Sequence, residues 1–167
     1  MSILILWVYG YHMSSEALVP VKVSFSFYPA DMAALNKQTV DLRRLGAAVR
    51  RGTVLRALIE LTSETEMFAA TVLLHRDYSA KAGPREADNV AGIPTVDLPP
   101  RLVTKLDRVV TELAAKDIAA NRAYVVRAML RSAPKPEAWA SAVQKFLKDF
   151  PRRPRTVRAK TIKNAKR

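Results

Sequence analysis

The sequence predicts a mainly α-helical fold with one two-stranded antiparallel ribbon, assembled from two tandem strand–helix–helix units in a single chain. Three observations predict it. Residues 21–27 alternate strictly between apolar and polar, the period of a half-buried strand. A gapless shift of 71 residues lays Ser24–Glu60 on Thr95–Arg131 with eight identities: Pro29/Pro100, Leu35/Leu106, Leu42/Leu113, Ala48/Ala119, Arg51/Arg122, Val54/Val125, Arg56/Arg127 and Ala57/Ala128. In both copies a proline follows the strand and opens a stretch of helical periodicity.

In the first unit, residues 21–61, Val21, Val23, Phe25 and Phe27 fall on one face of the strand and Lys22, Ser24 and Ser26 on the other. Pro29 starts helix A, whose inward stripe is Met32, Leu35, Thr39 and Leu42. Gly46 is placed to end it as a left-handed cap. Helix B then turns Val54, Leu55, Leu58, Ile59 and Leu61 inward.

The second unit, residues 93–133, repeats the plan. Its strand is Thr95–Leu98, with Val96 and Leu98 inward and Thr95 and Asp97 outward. Pro100 opens helix A, with Leu102, Leu106, Val109, Val110 and Leu113 as the stripe. Helix B runs from about Arg122 to Arg131, with Val125, Val126, Met129 and Leu130 inward. A lone edge strand leaves its backbone donors and acceptors unpaired, and a lone unit cannot enclose a core. The two units are therefore expected to pair with one another inside one monomer.

The remaining segments divide by composition. Residues 1–20 read as an arm; its apolar run Ile3–Tyr9 is too short to span a bilayer. A start at Met13 would make residues 1–12 an extension of the reading frame. The connector, residues 62–92, holds one patterned helix over Glu66–Tyr78 and a loop over Ser79–Gly92 that contains Gly83-Pro84. Residues 134–150, with Trp139, Val143, Phe146, Leu147 and Phe150, read as a final amphipathic helix. Residues 151–167 read as a disordered basic tail.

Composition narrows the partners. Apolar residues make up 49% and charged ones 26% of 167 residues, a globular mixture that argues against disorder throughout. The formal charge is +13 and the pI about 10.4, which favours a polyanion. Eight of those charges lie in residues 152–167, so subtracting eight from +13 leaves +5 for the rest. No cysteine is present and only His12 and His75 carry imidazole, which excludes disulfides and Cys/His zinc sites and fits a reducing cytoplasm. No phosphate loop, nucleophile elbow or paired catalytic carboxylate stands out, and His75-Arg76-Asp77 reads as surface; neither enzymatic activity nor a cofactor is expected.

One candidate site follows from helix geometry. The start of a helix offers free N–H groups and a positive dipole end to an anion. Helix B begins with Arg50, Arg51, Gly52 and Thr53 in the first unit and with Asn121, Arg122 and Tyr124 in the second, and these residues could clamp phosphates on either side. The competing reading is ordinary capping by Thr53 and Asn121 beside solvated arginines; Arg56 and Arg127, further along, fit either. The tail residues Arg152, Arg153, Arg155, Arg158 and Lys160 would add affinity through counterion release without sequence information.

Both units resemble ribbon-helix-helix proteins: a short alternating strand, a helix, a tight turn, and a second helix with a polar or basic start. The resemblance implies a tandem ribbon-helix-helix pseudo-dimer whose paired strands enter the major groove of double-stranded DNA. It makes Lys22, Ser24, Ser26, Thr95 and Asp97 base readers. Their different identities on the two strands point to a non-palindromic site.

The segments Val23-Ser-Phe-Ser-Phe-Tyr-Pro29, Asp41–Ala57 and Ala119–Arg127 are similar to the second protein of the VirC operon, in a family of T-DNA processing proteins. That likeness implies a cytoplasmic accessory factor in T-DNA border processing and virulence, partnered by a ParA-like ATPase and a border-nicking relaxase. A ribbon-helix-helix repressor or antitoxin is the alternative of the same fold. A basic membrane-surface or protein-interaction module is the alternative of another class.

Overall fold

The computed structural model describes residues 19–80 and 90–150. Among them run six helices and one two-stranded sheet, in the order β1 (Val21–Ser24), α1 (Pro29–Arg44), α2 (Arg51–Leu61), α3 (Glu64–Ala80), β2 (Thr95–Leu98), α4 (Pro100–Ala114), α5 (Arg122–Arg131) and α6 (Pro136–Asp149). The arm before residue 19, the loop at 81–89 and the basic tail from 151 lie outside the described residues. The connector helix is longer than its pattern suggested, running through Ser79 to Ala80.

The strands pair antiparallel, with Val21 opposite Leu98, Lys22 opposite Asp97, Val23 opposite Val96 and Ser24 opposite Thr95. The ladder continues past β1 in the same register. Phe25 N–H donates to Pro94 O at 3.0 Å and Phe27 N–H to Gly92 O at 2.9 Å. Because successive side chains alternate sides, Val23, Phe25, Phe27, Val96 and Leu98 all turn into the core. Val21, expected inward, shares their face but is the first residue of β1 and stays exposed.

Beneath the ribbon the helices bury Leu35, Leu42, Val54, Leu55, Leu58 and Ile59 from one half and Leu102, Leu106, Val109, Leu113, Val125, Val126 and Met129 from the other, in one continuous cluster. Leu61 is a correction: expected inward, it is 43% exposed, because α2 ends there and Thr62 turns the chain away in extended geometry. Thr39 is buried in the α1 stripe because its hydroxyl donates to Leu35 O at 2.7 Å, satisfying it inside the helix. Met32 is only partly covered; Asp31, next to it, is the buried residue of that turn.

The turns between the helices match in detail. Gly46 takes φ +85° after α1, and Asp117, its counterpart 71 residues on, takes φ +57° after α4. Ala47 N–H reaches back to Leu42 O and Ile118 N–H to Leu113 O, closing both turns on the helix ends in the same way. Glycine carries no steric penalty there, and aspartate is among the residues that tolerate the left-handed region best.

The correspondence runs on into the third helix of each half, with one residue inserted. Met67, Thr71 and Leu74 are the buried residues of α3; Trp139, Val143 and Phe146, each 72 positions further, are buried in α6. The third helix of each half crosses to the other half: α3 packs on α4 and α5, and α6 packs on α1 and α2. Ser63 starts α3 with a reciprocal cap, its hydroxyl accepting from Glu66 N–H at 3.2 Å while Glu66 accepts from Ser63 N–H at 2.8 Å.

Two ion pairs tie the halves together at nearly matching places, offset by one residue on the helix A side, with their charges exchanged. Arg131, at the end of α5, donates from Nε to Asp31 in the first turn of α1 at 2.7 Å. Asp31 is 0% exposed and also accepts from Tyr28 N–H at 3.0 Å. On the other side Glu60, the counterpart of Arg131, receives both terminal nitrogens of Arg101 at 2.7 Å each. Arg131 lies over the Tyr78 ring and Arg101 over the Phe150 ring, so each guanidinium also contacts the third helix that covers it.

Candidate nucleic-acid interface

The outward side chains of the ribbon form one exposed face. Lys22, Ser24, Ser26, Thr95 and Asp97 are all solvent-exposed on it, so the structure brings together the five residues the sequence singled out. Ser24 Oγ and Thr95 Oγ1 are hydrogen-bonded across the ribbon at 2.9 Å. Lys22 and Asp97 are direct cross-strand neighbours at one end. Ile93 was missed: it follows the bridging Gly92, lies opposite Ser26, and is 62% exposed. The repeat itself held the signal, since Ile93 is the counterpart of Lys22 at the shift of 71 residues.

The two helix starts beside the ribbon differ. At α2, Arg50 is the first, extended residue, and no side chain caps the helix among the described residues. The first N–H groups of a helix have no partner within it, so this end remains open to an anion. Arg50 and Arg51 are exposed, and Gly52 and Thr53 half-buried. Thr53 lies inside the first turn and is not the cap.

A cleft of about 700 Å³ opens there, lined among others by Arg50, Gly52, Thr53, Arg56, Asp97 and Phe150. Arg56 lies over the rings of Phe146 and Phe150 at 5.9 and 5.3 Å. Burial lowers its pKa most, opposed by the nearby carboxylates of Glu60 and Asp97; like every arginine it stays charged at neutral pH.

At α5 the groups are engaged internally. Asn121 Oδ1 accepts from Tyr124 N–H at 2.9 Å, capping the helix. Arg122 grips Asp107 with two hydrogen bonds, Nη2 to Oδ2 at 2.7 Å; this bonding raises the arginine's pKa and lowers the aspartate's. Tyr124 packs its ring against Tyr78 and beneath Arg127, and burial raises its pKa although Arg127 and Arg131 oppose the shift. Arg127, over the rings of Tyr28 and Tyr124 at 4.4 and 5.0 Å, is buried, with 7% of its surface exposed.

The phosphate candidates therefore divide: Arg50, Arg51, Gly52 and Thr53 are available, whereas Asn121, Arg122 and Tyr124 serve the fold first. Lys105 is likewise used internally, donating to Ile59 O and Glu60 O at the end of α2, and burial lowers its pKa. The tail residues Arg152, Arg153, Arg155, Arg158 and Lys160 lie outside the described residues.

Among the described residues no group of histidines, cysteines or carboxylates is placed to hold a metal ion, and no helix is long and apolar enough to cross a membrane. Comparisons with protein-family models, curated proteins and solved structures returned no match.

Proposed function

We propose that this chain is a sequence-reading, double-stranded-DNA-binding protein, a tandem ribbon-helix-helix pseudo-dimer in one polypeptide. The observation that carries the reading is the exposed outer face of the ribbon. Its side chains are polar in five of six positions while Val23, Phe25, Phe27, Val96 and Leu98 on the inner face are buried. A two-stranded ribbon fits the major groove, where side chains reach base edges with distinct donor and acceptor patterns. The open start of α2 with Arg50 and Arg51 supplies a phosphate contact beside it. A net charge of +13 supplies the long-range attraction.

Because the two strands carry different side chains, the preferred duplex is asymmetric. Within this reading, the likeness to the VirC family favours an accessory role at a T-DNA border, with a ParA-like ATPase and a relaxase as protein partners. A repressor or antitoxin would use the same face and differ in its gene neighbours. The test is a mobility-shift series with border-proximal and random duplexes at rising salt, beside anionic vesicles. A border role predicts that the border-proximal duplex outlasts the random one as salt rises. Equal loss on both duplexes refutes that role, and preference for vesicles refutes DNA reading itself.

A further inference from the structure

The outer face of the ribbon is chemically polarised. At one end Lys22, a donor, stands across from Asp97, an acceptor. In the major groove a G·C pair presents acceptors on guanine, O6 and N7, and a donor on cytosine, N4. The two side chains thus match the two bases of one pair. At the other end Ser26 stands across from Ile93. Isoleucine has nothing to offer a polar base edge, and covering such an edge with it would strand donors or acceptors. The one apolar group the major groove displays is the thymine C5-methyl.

We propose that Ile93 is a specificity-determining residue that packs on a thymine methyl, giving the bound duplex a fixed polarity. A G·C pair lies under Lys22 and Asp97, and an A·T pair lies under Ile93 and Ser26. Four residues separate Lys22 from Ser26, roughly 13 Å of strand at about 3.3 Å per residue. At about 3.4 Å per base pair that places the thymine on the order of four pairs from the G·C pair. The inference rests on the DNA-reading proposal and adds the identity of the bases and the residue that selects one of them.

The test uses the full chain in a selection from randomised duplexes, followed by replacement of each thymine of the selected site with deoxyuridine, which deletes only the methyl. The expected result is a loss of about fourfold at one thymine, the worth of one buried methyl group. Ile93→Ala should bind the thymine and uracil duplexes equally, with an unchanged melting temperature because Ile93 is exposed, while Ile93→Val keeps most of the discrimination. If a specific site is selected but uracil is tolerated throughout, or Ile93→Ala keeps the same uracil penalty, the assignment of Ile93 is overturned and DNA reading stands. If the selection yields no preferred sequence, both fall, and that outcome is seen before any uracil is introduced.

Discussion

Ser24 and Thr95, 71 residues apart in sequence, face each other across the ribbon with their hydroxyl oxygens 2.9 Å apart. The same interval of 71 relates the two sequence copies, so here alone in the ladder a residue meets its own counterpart. In the proposed pseudo-dimer, an approximate twofold relation between the halves would pass through this pair. On a bound duplex it would mark the centre of the site. Replacing both residues with alanine removes an exposed cross-strand bond and should cost about 0.5 kcal/mol of stability by thermal unfolding. Affinity for the selected duplex should fall about tenfold, with binding to random duplex nearly unchanged.

The unequal helix starts predict unequal phosphate contacts. Arg50→Ala and Arg51→Ala should each weaken binding to every duplex and reduce the slope of log affinity against log salt by about one. Asn121→Ala should act on the fold instead, lowering stability by about 1 kcal/mol through loss of the α5 cap, with a small effect on the salt slope. Titrations at several salt concentrations, beside melting curves, separate the two behaviours.

Asp107, on α4, restrains Arg122 at the start of α5, so Asp107→Asn removes a negative charge beside that helix start and releases a guanidinium. Duplex affinity at low salt should rise severalfold. The hydrogen bonds from Arg122 hold the folded Asp107 pKa below the usual carboxylate value of about 4. The pair's contribution to stability is therefore present above that pH and is lost as pH falls through the lower, folded value. Acid unfolding of the wild type and of Asp107→Asn should converge at the acid end.

The Asp31–Arg131 pair joins the halves through a fully buried carboxylate. Asp31→Ala leaves Arg131 without that partner and should cost about 3 kcal/mol in chemical denaturation. The matching pair Glu60–Arg101 is half exposed, so Glu60→Ala should cost about 1 kcal/mol or less.

Much of this architecture was legible because it is written in apolar periodicity. Two-residue alternation marked Phe25 and Phe27 as inner ribbon positions, and helical spacing marked Leu35, Leu42, Leu106 and Val125 as core. Gly46 was readable as a left-handed cap; Asp117 was not, since aspartate takes that conformation only when the surrounding chain imposes it. The kinship of α3 and α6 was hidden by the inserted residue and by unlike side chains, Met67 against Trp139 and Thr71 against Val143.

The candidate site was legible in its ribbon and less so in its clamps. The outward placement of Lys22, Ser24, Ser26, Thr95 and Asp97 followed from pleat alternation, and their candidacy as base readers from the resemblance to ribbon-helix-helix proteins. Ile93 escaped notice because an isoleucine beside a strand reads as core until the register places it opposite Ser26. The internal engagement of Arg122 depends on Asp107, fifteen positions away on another helix. No local pattern announces such a pair.

The central claim is that the ribbon's outer face, and no other surface, touches the bases. The chain contains no cysteine, so Ser24→Cys provides a unique attachment point for a photo-crosslinker, and Ser141→Cys, on the exposed face of α6, provides the control. The account predicts that the probe at residue 24 crosslinks to bases at the centre of the bound site while the probe at residue 141 does not. Crosslinking to bases from α6 alone, or equally from both positions, would contradict it.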